Sequence, residues 1–180
     1  MRWTKMRYYM IRHDKRINNG PDLLDWYKKV NVVDLHWGSF HKVPEINIMY
    51  IKENAEVYFS DVITFPFFLL SEKIERILKK YEPNMGYRQF ILIEKKHEYM
   101  QQYFLPHLMR VDCVSEKSQF NQDRSQIIKC CLVQSKLPDK CIFELEHVKD
   151  RHVIVRQDFL ESILRRNAMI CFEECEMEEK

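Results

Sequence analysis

Glycine is nearly absent from this sequence: three residues in 180, at Gly20, Gly38 and Gly86. A backbone that wraps a phosphate needs several flexible glycines close together, so most nucleotide-cradling loops are excluded. A charge excess of one sign is missing too. The 29 basic and 27 acidic side chains leave a formal net charge of +2, short of the surplus by which nucleic-acid binders neutralise phosphates. Long apolar runs are lacking: the longest, Phe65 to Leu70, contains Pro66 and is too short to span a bilayer. The opening Met1 to His13 segment is broken by Arg2, Lys5, Arg7 and Arg12, without the uninterrupted apolar stretch of a signal peptide. The expectation is a cytoplasmic chain whose six cysteines are reduced thiols and which has no membrane partner.

What is present suits a folded core. Hydrophobic residues make up 46% and charged residues 31%, which excludes a disordered or membrane-embedded chain. One domain over residues 1–180 is expected, since a chain of this length buries roughly 70% of its unfolded surface. Two-residue alternation predicts strands over Lys5–Arg12, where Met6, Tyr8 and Met10 alternate with Arg7, Tyr9 and Ile11, and over Glu45–Lys52, with Ile46, Ile48 and Tyr50. Further strands are predicted at Gln89–Lys95, Gln126–Gln134, Cys141–Glu146, His152–Arg156 and Met169–Phe172, with an extended stretch around Pro106. In Cys141–Glu146, Cys141, Phe143 and Leu145 face one way and Glu144 and Glu146 the other.

Helical spacing predicts two main helices, about 71–81 and 158–166. The first has Ser71 as N-cap, the stripe Ile74, Ile77, Leu78, Tyr81, and Pro83 as its stop. The second has Asp158 and Glu161 at capping-box spacing. Asp22 to Pro44 has no sustained period and reads as irregular, and the acidic end Glu173 to Lys180 reads as a frayed tail. Runs of strands with two helices between them indicate α+β with a largely antiparallel sheet.

No group of residues stands out as catalytic, and neither a cofactor nor a metal is expected. Cys171, Cys175, His147 and His152 have the residue types of a zinc site, but a strand and a loose tail are poor places for a zinc knuckle. The other cysteines, Cys113, Cys130, Cys131 and Cys141, sit in apolar contexts that suit core packing. Ser39 between His36 and His41 lacks the strand–turn–helix setting of a nucleophile elbow, which leaves a hydrolase-like enzyme as the third reading. Asp14, Asp34, Asp61 and Asp112 are scattered; Asp61 and Asp112, flanked by apolar residues, are candidates for burial, where an aspartate typically holds backbone amides in a turn. Arg2, Lys5, Arg7, Arg12, Lys15 and Arg16 interleave with Trp3, Tyr8 and Tyr9, as in a single-strand nucleic-acid platform. With no matching stripe elsewhere, nucleic-acid binding is the alternative rather than the main reading.

The second half carries a set of short patterns: Tyr58-Phe-Ser-Asp61, Phe68-Leu-Leu-Ser-Glu-Lys-Ile74, Tyr103-Phe-Leu-Pro-His107, Val111-Asp-Cys-Val-Ser115 with Ser118, Ile142-Phe-Glu-Leu145, His152-Val-Ile-Val155, Leu160 and Met169-Ile-Cys-Phe172. Together they resemble a bacterial family of immunity proteins from polymorphic toxin systems, over about two thirds of the chain. The family's usual glycine before the last strand is replaced by Asn167-Ala168, and residues 1–57 carry no such likeness. The resemblance implies a cytoplasmic protein that binds a cognate toxin domain and blocks it. Binding energy in such a protein is expected to concentrate in a few desolvated aromatic and arginine anchors. The irregular segment offers Trp26, Tyr27, Trp37, Phe40 and His41 as interface candidates, although a core beneath a long loop would use the same aromatics.

Overall fold

The stripe Ile74, Ile77, Leu78, Tyr81 forms the helix that its spacing predicts, over Glu72–Tyr81, with the first three side chains buried and Tyr81 half-buried. Glu72 and Glu75 lie in its first turn and Lys79 and Lys80 in its last, opposing the helix dipole at each end. Ser71 is its N-cap residue, but the hydroxyl donates to Asp61 Oδ1 at 2.8 Å instead of accepting from the first turn.

The computed structural model describes residues 6–35 and 38–179. The chain begins with β1 (Tyr8–Arg12), α1 (Trp26–Lys29) and β2 (Ile46–Tyr50), with short 3₁₀ turns at Val32–Leu35 and Phe40–Lys42. There follow β3 (Val62–Ile63), β4 (Leu69–Ser71), α2 (Glu72–Tyr81), β5 (Tyr87–Glu94) and β6 (Tyr99–Pro106). Next come β7 (Arg110–Val111), β8 (Gln119–Phe120), β9 (Ile127–Lys129), β10 (Cys131–Val133), β11 (Ile142–Leu145) and β12 (Val153–Arg156). The last elements are α3 (Gln157–Leu164), β13 (Cys171–Glu174) and β14 (Glu176–Glu178). Seven of the ten strand ladders among the described residues are antiparallel, so the class is α+β with largely antiparallel sheets.

The chain gathers into two compact units. No linker composition marks their boundaries. The chain passes between the units four times, after Arg12, His107, Arg166 and Ile170.

The unit made of residues 13–107 and 167–170 is built on a five-stranded sheet ordered β2-β5-β6-β4-β3. One face is covered by the irregular segment: Leu23, Val30, Leu35, Phe40 and Val43 pack with Met49, Phe90, Leu92, Tyr103 and Leu105. Burying each large side chain contributes about 1.5–3 kcal/mol, which is how a segment without regular period is held. α2 packs against β4 and β6 on the opposite face.

The other unit holds the sheet β13-β1-β12-β11-β7, with α3 against β1 and β12. Tyr8, Met10, Phe143, Leu145 and Ile154 form its core with Cys113, Cys130 and Cys175. β11 departs from the expected alternation, being buried on both faces; Glu144 lies inside, paired with Arg110 at 3.3 Å and Arg151 at 3.1 Å. The predicted strand Gln126–Gln134 divides into β9 and β10. Asp158 lies inside α3 and is not its N-cap residue: Arg156 holds it from Nε and Nη2 at 2.8 and 3.0 Å, and it accepts from the Phe159 amide at 2.9 Å.

The acidic end, expected as a frayed tail, is ordered in β13 and β14 through Glu178. β13 pairs with β1 and β14 runs parallel to β10. Cations supply what its composition did not reveal: Glu173 meets Arg12 at 2.7 Å, Glu176 meets Lys129 at 2.7 Å and Glu178 meets Lys117 at 3.1 Å.

Candidate functional site

α1 starts after Asp25, whose φ of 51° turns the chain sharply into the helix. Trp26 is half-buried against the core, and its ring meets Tyr27, Phe65 and Phe67 edge-on at 5.9, 6.1 and 5.6 Å. Phe67 is buried, whereas Tyr27 is 63% and Phe65 73% exposed. Tyr27 donates to Asp25 Oδ1 at 3.3 Å, and Lys28, paired with Asp25 at 2.8 Å, lies over its ring. Four aromatic rings thus share one cluster, anchored through Trp26 and Phe67 and open to solvent through Tyr27 and Phe65.

Of the other candidates, Phe40 belongs to the core. It stacks on His107 with ring centroids 4.2 Å apart and carries the Arg88 guanidinium at 5.0 Å. His41 is exposed, and Trp37 lies outside the described residues. The structure therefore brings Trp26 and Tyr27 together and adds Phe65, which the sequence reading had left inside an apolar run. The neighbouring Phe67 and Phe68 are buried, as that run suggests; only the change of direction at Pro66 separates Phe65 from them.

A second apolar surface on the same unit escaped the sequence reading. In β2 the inward positions are Asn47 and Met49, while Ile46, Ile48 and Tyr50 are exposed, Ile46 by 59% and Ile48 by 47%. Register places Ile48 beside Ile91 and Tyr50 beside Ile93 on β5, and Ile93 beside Met100 on β6, itself 69% exposed. Lys29 donates to the Ile48 carbonyl at 2.6 Å and lies 5.1 Å from the Tyr50 ring centre, and Lys95 covers the same ring at 3.8 Å.

The alternative chemistries have other geometry. Ser39 donates its hydroxyl to the Val33 carbonyl at 3.0 Å; His36 lies outside the described residues. Burial pushes the Cys113 thiol up to about 12, and a hydrogen bond with Cys130 together with burial raises Cys175 further, so both are protonated thiols at neutral pH. Among the described residues, no three His, Cys, Asp or Glu side chains form a group able to hold a metal ion. Asp61 holds the turn before α2, accepting from Ser71, from the Met169 amide at 2.8 Å and from Lys73 at 2.7 Å. Asp112, a candidate for burial, is exposed beside Lys136.

Of the basic N-terminal stretch, Arg2, Trp3 and Lys5 lie outside the described residues, while Arg7 and Arg12 are engaged within their own unit. Arg12 donates to the Ile127 and Ile128 carbonyls as well as to Glu173, and Arg7 faces Glu174 at 3.6 Å. Tyr8 is buried and Tyr9 packs edge-on against Phe172, so these rings offer little platform for stacking bases. No helix among the described residues is long and apolar enough to cross a membrane.

Comparison with curated proteins finds no match. Comparison with family models gives a match over residues 2–170, and so through the N-terminal 57 residues where the short patterns found no likeness. With almost the whole chain matched, this protein belongs to the Immunity protein family (Imm11).

Proposed function

We propose that this protein binds a cognate bacterial toxin domain in the cytoplasm of the cell that produces both, and neutralises it by occupying its surface without catalysing a reaction. Family membership carries this reading. The aromatic cluster of Trp26, Tyr27 and Phe65 supports it, since a half-buried tryptophan flanked by exposed rings has the composition of a binding hot spot. Its rings are already packed on one another, which reduces the side-chain ordering that association must offset.

The test is co-expression with the toxin domain encoded beside the chain. Rescue of growth and recovery of a one-to-one complex are expected. Replacing exposed Tyr27 with Ala should weaken that complex by about 2 kcal/mol or more while leaving the thermal midpoint nearly unchanged. Toxicity undiminished by the wild-type protein would refute the proposal.

A further inference from the structure

α2 covers only part of its face of the β2-β5-β6-β4-β3 sheet. It packs on β4 and β6, while Ile46, Ile48 and Tyr50 of β2 and Met100 of β6 stay exposed on that face. Ile91 and Ile93 of β5 form the half-buried floor between them. Neighbouring strands lie about 4.8 Å apart, so the open strip is on the order of 10 Å wide, the diameter of one α-helix. An open apolar strip of this kind marks an interaction site.

Charge selects the occupant. Lys29 and Lys95 converge on the Tyr50 ring, and neither has a carboxylate partner among the described residues. Elsewhere in the unit, Lys28, Lys73 and Lys96 each meet an acid. A second copy docking about a two-fold axis near Tyr50 would bring four ammonium groups together, which like-charge repulsion opposes.

We propose that this strip receives an amphipathic helix of the toxin domain, its apolar stripe against Ile48, Ile91, Ile93 and Met100 and its carboxylates towards Lys29 and Lys95. The proposal rests on the immunity reading and specifies the partner chemistry that this surface recognises. The helix lies beside α2 in the vacant half of the layer, and its acids separate the two ammonium groups over Tyr50.

The probe is the toxin domain recovered with the wild-type protein in the co-expression experiment. The variants are Ile48→Asp and the double charge reversal Lys29→Glu with Lys95→Glu. All three positions are exposed, so both proteins should fold, as circular dichroism checks. Each variant should bind the probe about a hundredfold more weakly, and complex formation should slow amide exchange across residues 46–50 and 91–100. Reversing an acid on the toxin helix should restore affinity to the double lysine variant. If the wild-type protein binds and both folded variants bind within about threefold of it, the strip proposal is overturned and the immunity reading stands. If the wild-type protein recovers no toxin domain, both fall. Concentration-dependent dimers that Ile48→Asp disperses, with toxin affinity unchanged, would assign the strip to a second copy and overturn the proposal.

Discussion

His152 lies in the core of its unit with Nε2 buried and no partner for that atom among the described residues. Burial holds its imidazole below the usual range near 6.5, with Arg12 acting in the same direction and contact with the Ser125 main chain opposing it. In the unfolded chain the same ring takes up a proton as pH falls past about 6.5. The unfolded state then binds more protons than the folded one, so stability present above that pH is lost as pH falls towards the folded value. Urea midpoints from pH 8 to pH 5 should fall more steeply for the wild type than for His152→Gln; parallel slopes would place the titration elsewhere. Single residues differ in how far the sequence exposes such roles. Asp61 is legible in part: an aspartate flanked by apolar residues is suited to holding backbone, and it accepts the Met169 amide, though its other donors are the Ser71 hydroxyl and the Lys73 ammonium. Glu144 is not. Alternation sends it to solvent, and what brings it inside is Arg110 and Arg151, whose proximity is created by the fold.

At the scale of elements, a pattern reveals its period more readily than the side on which its core will lie. α2 was legible because an isolated helix has one apolar stripe, and that stripe must be buried. In β2 the residues Ile46, Ile48 and Tyr50 show the period, but Met49 and Asn47 face the core. Both faces of that strand are apolar enough to be buried, and the irregular segment settles the choice by covering the Met49 side. Exposure of the aromatic residues is hard to read for the same reason: nothing local separates exposed Tyr27 and Phe65 from buried Phe40. The acidic end shows the opposite effect, with composition suggesting a tail and pairing making it a sheet edge. Removing residues 173–180 should therefore take away β14 and half of β13, strand Arg12 and Lys129 without their acids, and lower the thermal midpoint by roughly 10 °C or more. A midpoint unchanged within about 2 °C would mean that the end contributes nothing to the fold.

At the scale of the whole molecule, the near-neutral balance of charge is largely organised as ion pairs, and Arg7 and Arg12 near the start of the chain meet Glu174 and Glu173 near its end within one unit. That unit is assembled from three separate stretches of sequence, whereas residues 13–107 of the other are continuous. The difference matters while the chain is being made. The elements of this second unit are complete once residue 107 has been translated. β1, by contrast, waits for β12 about 140 residues later and for β13 beyond it, a delay of roughly 10–30 s at ordinary synthesis rates. Chains stalled on the ribosome near residue 140 should resist protease across 13–107 while remaining open to it around Tyr8–Arg12; protection at both places would show that β1 finds another partner. The surface proposed to meet the toxin is thus translated before the strand at the start of the chain has partners with which to pair.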